Sequence, residues 1–313
     1  MTANPERSEG RPRPHARPLG ATRNQPTEAM IFHMGRRLLL PVAALVALTV
    51  LPIRAAPPAS DRDDLSVKSV VAAASKYVAR YEQEFAFLLA EEAYSQVRMR
   101  GTTTLESRRL KSEFFLTFLP ADDEWVAVRD VKTVDDEPVA ARDDLRTVLA
   151  TKGEFRGLIA QIVDRNARYN IGGVIRNFNE PTLPLLLLDA KRVNEVKFDR
   201  GAVVRDGDTT LVTLQYAERS RPTLVRDPYG SVPATGELIV EAGTGVIRRT
   251  RFDLERAGVK VRLTTTYARE PRLNLWLPET FTERYDTPDT KELVMCEASY
   301  SNYRRFEVNA RIK

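Results

Sequence analysis

From Val193 to Ile312 the chain runs almost entirely in period two, and this limits its fold more than any other feature. VNEVKFD, LVTLQYAE, GELIVE, VIRRTRFDLE, VKVRLTTTYA, ETFTERYD and ELVMCEASYSNYRRFEVNARI follow one another, separated by turn residues. Asp206-Gly207-Asp208, Gly243-Thr244-Gly245 and Ala257-Gly258 supply the positive φ that tight hairpins need. Connections this short join antiparallel neighbours, so the segment reads as a meander. In VKVRLTTTYA, Val259, Val261, Leu263 and Tyr267 point one way while Lys260 and Arg262 point the other. In the last strand Val294, Cys296, Ala298, Tyr300, Phe306 and Val308 are expected to share a face. One face is dry and one is wet.

Upstream the period is helical. Val67, Val70, Val71, Ala74, Tyr77, Val78, Tyr81, Phe85, Leu88 and Leu89 step by three or four and draw one apolar stripe. A long amphipathic helix is predicted there, capped by Asp64 or Ser66. After about Glu92 the period becomes two. Leu110, Phe114, Leu116 and Phe118 alternate with Lys111, Glu113, Phe115 and Thr117, and the strand closes at Pro120 and Asp122-Asp123-Glu124. Trp125 to Val134 reads as its hairpin partner. Thr151-Lys152-Gly153-Glu154 has capping-box spacing ahead of Phe155, Leu158, Ile159, Ile162, Val163 and Tyr169, and Gly172-Gly173 is placed to end that helix. Thr182 to Leu188 predicts a small helix with Pro184 in its first turn.

Helix, strands, helices and then a run of strands describe an α+β domain. The expectation is a strongly curved antiparallel sheet, an unclosed half-barrel, with helices packed on its concave face. It would occupy residues 66–313 as a single domain, with a helical insertion at about 142–190. A strand–helix alternation, which would place a nucleotide crevice beside a parallel sheet, is not present.

Residues 1–33 hold five Pro and five Arg with little apolar clustering, and read as a disordered leader or as an extension ahead of a true start at Met34. Met34-Gly35-Arg36-Arg37 then opens an apolar run from Leu38 to Ile53 that ends in Ala55-Ala56. Positive start, apolar centre and small residues make residues 34–55 a signal peptide, with 56–65 a tether. At 16 residues, with Pro41 and Pro52 inside, the run is shorter than the roughly 20 that a spanning helix needs. Arg36-Arg37 also permits the twin-arginine route, although no cofactor fingerprint follows that would demand it. A periplasmic or secreted protein is expected.

The leader also accounts for the overall charge. Eight of the 48 basic residues and three of the 43 acidic ones lie within residues 1–55, so the body is formally neutral and nucleic-acid binding gains no support. Both histidines, His15 and His33, lie there too. A body without histidine excludes Ser-His-Asp and Cys-His catalysis and any histidine-ligated metal. Cys296, the one cysteine, shares parity with Val294 and Ala298 and reads as a buried inert thiol. Asp206-Gly207-Asp208 lacks the further oxygen ligands of a calcium loop. Gly153 and Gly157 lack the Lys-Ser/Thr of a phosphate loop. Tyr300, Tyr303, Arg304, Arg305 and Phe306 mix aromatic and basic residues, but strand parity splits them between faces. The acidic groups Asp122/Asp123/Glu124, Asp135/Asp136/Glu137 and Asp143/Asp144 sit at turns or helix starts, where solvated carboxylates are favoured locally.

GELIVEAGTGVIRRTRFDL, the Leu275-Trp276-Leu277-Pro278 segment, ERYD and ASYSNYRRFEV resemble secreted bacterial proteins of the LolA-like lipoprotein-carrier (outer-membrane lipoprotein-sorting) superfamily, in particular its acidobacterial type. The likeness covers roughly residues 66–313 in element order and about 236–308 in motif detail. It implies an unclosed antiparallel barrel whose concave face, partly plugged by helices, holds acyl chains or a partner's hydrophobic segment. An exported binding protein for a lipid, acyl chain or lipidated peptide is therefore expected. Phe85, Leu88, Leu89, Phe114, Phe118, Leu186, Trp276 and Tyr300 are the residues expected to line its site. The partner would be that hydrophobic ligand or a lipoprotein, with a membrane only as its source or acceptor, and no cofactor, metal or nucleic acid is invoked. The alternatives are a protein-interaction or envelope-sensing module, and a hydrolase working with carboxylates alone.

Overall fold

The computed structural model describes residues 65–84, 87–119, 124–140, 155–173, 176, 180–227 and 229–306. The leader, the signal segment, Phe85, Asp122-Asp123, Asp143-Asp144, the Thr151–Glu154 capping box and Val308 lie outside the described residues.

Helix α1 (Val67–Glu84) starts where Ser66 Oγ accepts a hydrogen bond from Ser69 N at 3.1 Å, so Ser66 is the cap. Strands β1 (Leu88–Arg100), β2 (Thr103–Leu119), β3 (Glu124–Val134) and the two-residue β4 (Glu137–Pro138) follow. Helix α2 (Phe155–Ala167) and two 3-10 helices, Leu183–Leu188 and Val193–Glu195, lead into β5 (Val196–Asp206) and β6 (Thr209–Glu218). A small hairpin, β7 (Val225–Asp227) with β8 (Gly230–Val232), precedes β9 (Thr235–Glu241), β10 (Ile247–Arg256), β11 (Val259–Glu270), β12 (Leu275–Thr287) and β13 (Glu292–Arg305).

Eleven of these strands make one antiparallel sheet in the order β4-β3-β2-β1-β13-β12-β11-β10-β9-β6-β5. The outermost strands, β4 and β5, do not pair with each other, so the sheet is unclosed. The protein is mostly β, with few helices. Tight turns set the registers. Ala257 and Gly258 both take positive φ between β10 and β11, the geometry of a two-residue hairpin turn. Asp135 and Asp136 do the same between β3 and β4.

Alternation delivers the main core to one face, called inner here. Tyr94, Phe114, Leu214, Leu238, Phe252, Leu263, Phe281 and Tyr300 are buried in it. Val70, Ala74, Tyr77, Val78 and Tyr81 of α1 pack onto it, as the helical stripe requires, along with all six residues of Leu183–Leu188. Helix α1 touches β5, β9 and the Leu183–Leu188 turn. The β9–β10 turn comes against α1 at Gly245, where a Cβ would lie 2.1 Å from Ala73 O.

Three expectations are corrected. The first helix ends at Glu84, and Leu88 and Leu89 open β1 instead of completing its stripe. Phe87, directly before β1, takes a φ of +49°, and β1 alternates through Leu88, Ala90, Glu92, Tyr94 and Gln96. Two polar residues among those five conceal the strand from a hydrophobicity count. Second, the helices do not all gather on one side. Ile162 of α2 packs with Leu89, Phe115 and Val128, the opposite parity of β1, β2 and β3, in a small outer core. That helix ends at Ala167, ahead of Gly172 with its φ of +80°. Third, Phe306 joins this outer core rather than the face of Tyr300. Asn302, at a φ of +52°, adds a bulge opposite Leu89–Glu91, so Tyr303 turns inward and the later residues change sides.

Candidate functional site: the inner face and its cover

Leu88, Phe114 and Tyr300 lie on the inner face of three adjacent strands, β1, β2 and β13, and each is buried. The rings of Phe114 and Tyr300 are in tilted contact, with centroids 4.8 Å apart. Phe118, at the end of β2, is half-buried with its ring 5.2 Å from Trp125, and Trp125 lies 5.9 Å from Tyr81 of α1. Leu186 is buried in the same core from the side of the cover. Of the remaining residues expected in the site, two are described. Leu89 faces the outer core. Trp276 is half-buried between the inward Leu275 and Leu277, with the Arg248 guanidinium 4.1 Å from its ring centroid. Phe85 lies outside the described residues.

The cover is Thr182 to Leu188. Thr265 Oγ1 and Tyr267 Oη both donate to Pro181 O, at 2.7 and 2.8 Å, and tie its start to β11. Its six helical side chains, Leu-Pro-Leu-Leu-Leu-Leu, add only apolar contact.

Beside this apolar zone the inner face carries a buried polar network that the sequence reading did not include. Arg176 is 6% exposed. Its guanidinium donates to Gln96 Oε1 at 2.7 Å, Ile171 O at 3.1 Å, Tyr94 Oη at 3.2 Å and Cys296 Sγ at 2.8 Å. Tyr94 and Tyr285 both donate to the Glu283 carboxylate, at 2.8 and 2.6 Å. Arg129 makes a two-pronged pair with Glu92 and stands 4.0 Å from the Tyr94 ring centroid. Burial opposes the charge of Arg129, and Glu92 outweighs it, so the guanidinium holds its proton above the ordinary value. Burial raises the phenols of Tyr94, Tyr285 and Tyr300 well above the usual range and pushes the Cys296 thiol up to about 12. Cys296 is thus a neutral acceptor for Arg176, with no thiolate character. Glu92, Gln96 and Glu283 carry a signal in the sequence: each is a polar residue at the apolar parity of its strand. Arg176 carries none, because it belongs to no strand or helix whose period could mark it.

Of the acidic turn residues, Asp135, Asp136 and Glu137 are described, and all three are exposed. Asp136 pairs with Lys111 and Arg109, both at 3.0 Å, and its carboxyl is held below the usual range, first by the Lys111 hydrogen bond. Among the described residues no group of three His, Cys, Asp or Glu could hold a metal ion, and no helix is long and apolar enough to cross a membrane. Grooves of about 580 and 450 Å³ share Ala93, Lys111 and Ser299 on the outer face, and another of about 530 Å³ lies beside Asp253, Arg262 and Arg284. All are lined with charged side chains. The inner face, by contrast, is closed over by the protein's own leucines.

No family model and no curated protein matches the chain. Solved structures of the LolA superfamily and its neighbours are similar to it at low identity. A DUF1329 family protein from Desulfovibrio piger matches with a TM-score of 0.35 and 11% identity, over 76% of this chain and 94% of that one. A LolA superfamily protein from Nitrosomonas europaea matches with a TM-score of 0.33 and 10% identity, over 79% and 96%. A Vibrio parahaemolyticus domain described as an outer membrane lipoprotein-sorting protein matches with a TM-score of 0.32 and 10% identity, over 78% and 95%.

Proposed function

We propose that the chain is an exported carrier that holds one acyl chain, or the lipidated end of a peptide, against the concave inner face of its sheet. The ligand lies beneath the Leu183–Leu188 cover, among Leu88, Phe114, Phe118, Leu186 and Tyr300. The observation that supports this best is the cover itself. Six consecutive buried residues, five of them leucine, lie on an apolar sheet face without belonging to the sheet. Burying a leucine side chain contributes about 1.5–3 kcal/mol, so five contribute about 7–15 kcal/mol. An acyl chain of about 15 methylenes, at about 0.8 kcal/mol each, offers about 12 kcal/mol. Exchange of cover for ligand is close to balanced, which lets a carrier both take up and release its load. Tyr300 Oη, buried without a hydrogen-bond partner, is available to an oxygen of the bound molecule. Residues 34–55 direct the protein across the membrane to the periplasm or the exterior. Native mass spectrometry of the protein purified without detergent tests the reading. A co-purified lipid mass, together with uptake of a fluorescent fatty acid, is expected; an apo mass with no uptake contradicts it.

A further inference from the structure

We propose that the row Ser112–Glu92–Tyr300 on the inner face is a head-group subsite that takes an uncharged hydrogen-bonding head, an acyl ester or an alcohol, in preference to a carboxylate. The proposal rests on the carrier reading and adds to it the class of amphiphile held. Glu92 of β1 stands opposite Ser112 of β2 on one side and Tyr300 of β13 on the other, so the three side chains lie abreast on one face. They are 2, 5 and 7% exposed, in the order Glu92, Ser112, Tyr300. The Ser112 and Tyr300 hydroxyls have no hydrogen-bond partner. An unpaired buried hydroxyl is costly, and a ligand atom that pairs with it removes the cost. The Thr182 and Thr250 hydroxyls are also buried and unpaired, but no residue lies in register between them. The apolar part of the site adjoins the row: Phe114 follows Ser112 by two positions in β2, and its ring is in contact with that of Tyr300.

Charge decides which head fits. Arg129 meets both oxygens of Glu92, so the guanidinium at the row is already neutralised. A carboxylate head would bring a second negative charge beside Glu92 in a place shielded from water. An ester carbonyl or an alcohol brings none, and its oxygen accepts from the hydroxyls as they stand. Burial first, and then the Glu92 carboxylate, raise the Tyr300 phenol, so it remains a donor.

Displacement of a fluorescent fatty acid by 1-palmitoylglycerol and by palmitate, compared at pH of about 8 where the carboxylate is charged, tests the proposal. One neutral hydrogen bond is worth about fivefold in affinity, so the glyceride is expected to bind about 25-fold more tightly than palmitate. Tyr300→Phe and Ser112→Ala should each lower that ratio about fivefold. Both substitutions remove an unpaired hydroxyl and add no volume, so the Tm of the ligand-free protein should hold or rise. Equal affinities in the parent, or variants that keep the parent's ratio, would overturn the proposal and leave the carrier reading standing. A lower Tm with an unchanged ratio would overturn it too, because the hydroxyls would then serve the fold alone. No uptake of the fluorescent probe and displacement by neither lipid would overturn the carrier reading, and this proposal with it.

Discussion

The Arg176 side chain is buried in the core, and four acceptors meet it there. A buried guanidinium is costly unless its donors are met, and the two terminal nitrogens of Arg176 meet acceptors on β1 and β13 and at Ile171. Buried phenols are spread through the main core. Tyr81, Tyr94, Tyr216, Tyr285, Tyr300 and Tyr303 all have pKa values raised well above the ordinary value, with burial the largest cause in each. The sign of the pH dependence follows. The fold favours the protonated phenol, so this contribution is complete below the unfolded tyrosine pKa of about 10 and is lost as pH climbs above it. Phenolate absorbance from these tyrosines should therefore rise in one step, coincident with loss of near-ultraviolet circular dichroism, above pH of about 10. Ionisation of most tyrosines near pH 10 with the fold intact would contradict the burial assigned to them.

Among the elements, the contact between the β9–β10 turn and α1 is the most exacting. Gly245 has a φ of +73° and no room for a Cβ, because Ala73 O would be 2.1 Å away. Gly243, two residues earlier, shares the left-handed backbone at +81° but faces open space. Gly243→Ala should cost about 1–2 kcal/mol, the price of the backbone alone. Gly245→Ala adds displacement of α1 and should cost about 3 kcal/mol or more in urea denaturation. Equal losses at the two positions would mean that α1 does not rest on this turn. Elements such as these were legible to the extent that their patterns were pure. The stripe from Val67 to Tyr81 and the strands from Val196 onward declare themselves because polar and apolar residues, with few exceptions such as Glu283, keep to their own faces. Strand β1 was not legible, because Glu92 and Gln96 occupy inward positions where they meet Arg129 and Arg176. Those partners lie 37 and 80 residues further along the chain, and pairing across such distances leaves no local trace. Leu89 and Phe306 were assigned to the wrong face for a related reason. Nothing nearby in sequence announces α2 as the cover of an outer core, or the bulge at Asn302.

In the whole molecule, β13 lies at the centre of the sheet, between β1 and β12, so the last long strand joins β4-β3-β2-β1 to the meander formed by β5, β6 and β9–β12. The consequence is an inner face that extends across β1, β2 and β13 and meets its cover from a distant part of the chain. That Phe114, Phe118, Leu186 and Tyr300 share one core was legible in the strand parity and the apolar run; the polar network next to them was not. Whether the leucine cover gives way to a ligand is the claim on which the functional account turns. Photolabelling with a diazirine-bearing fatty acid, followed by peptide mapping, tests it most directly. The account predicts adducts on β1, β2 and β13 at inward residues such as Phe114 and Tyr300, and on Leu183–Leu188. Labelling confined to the outer face, or none at all, would contradict it.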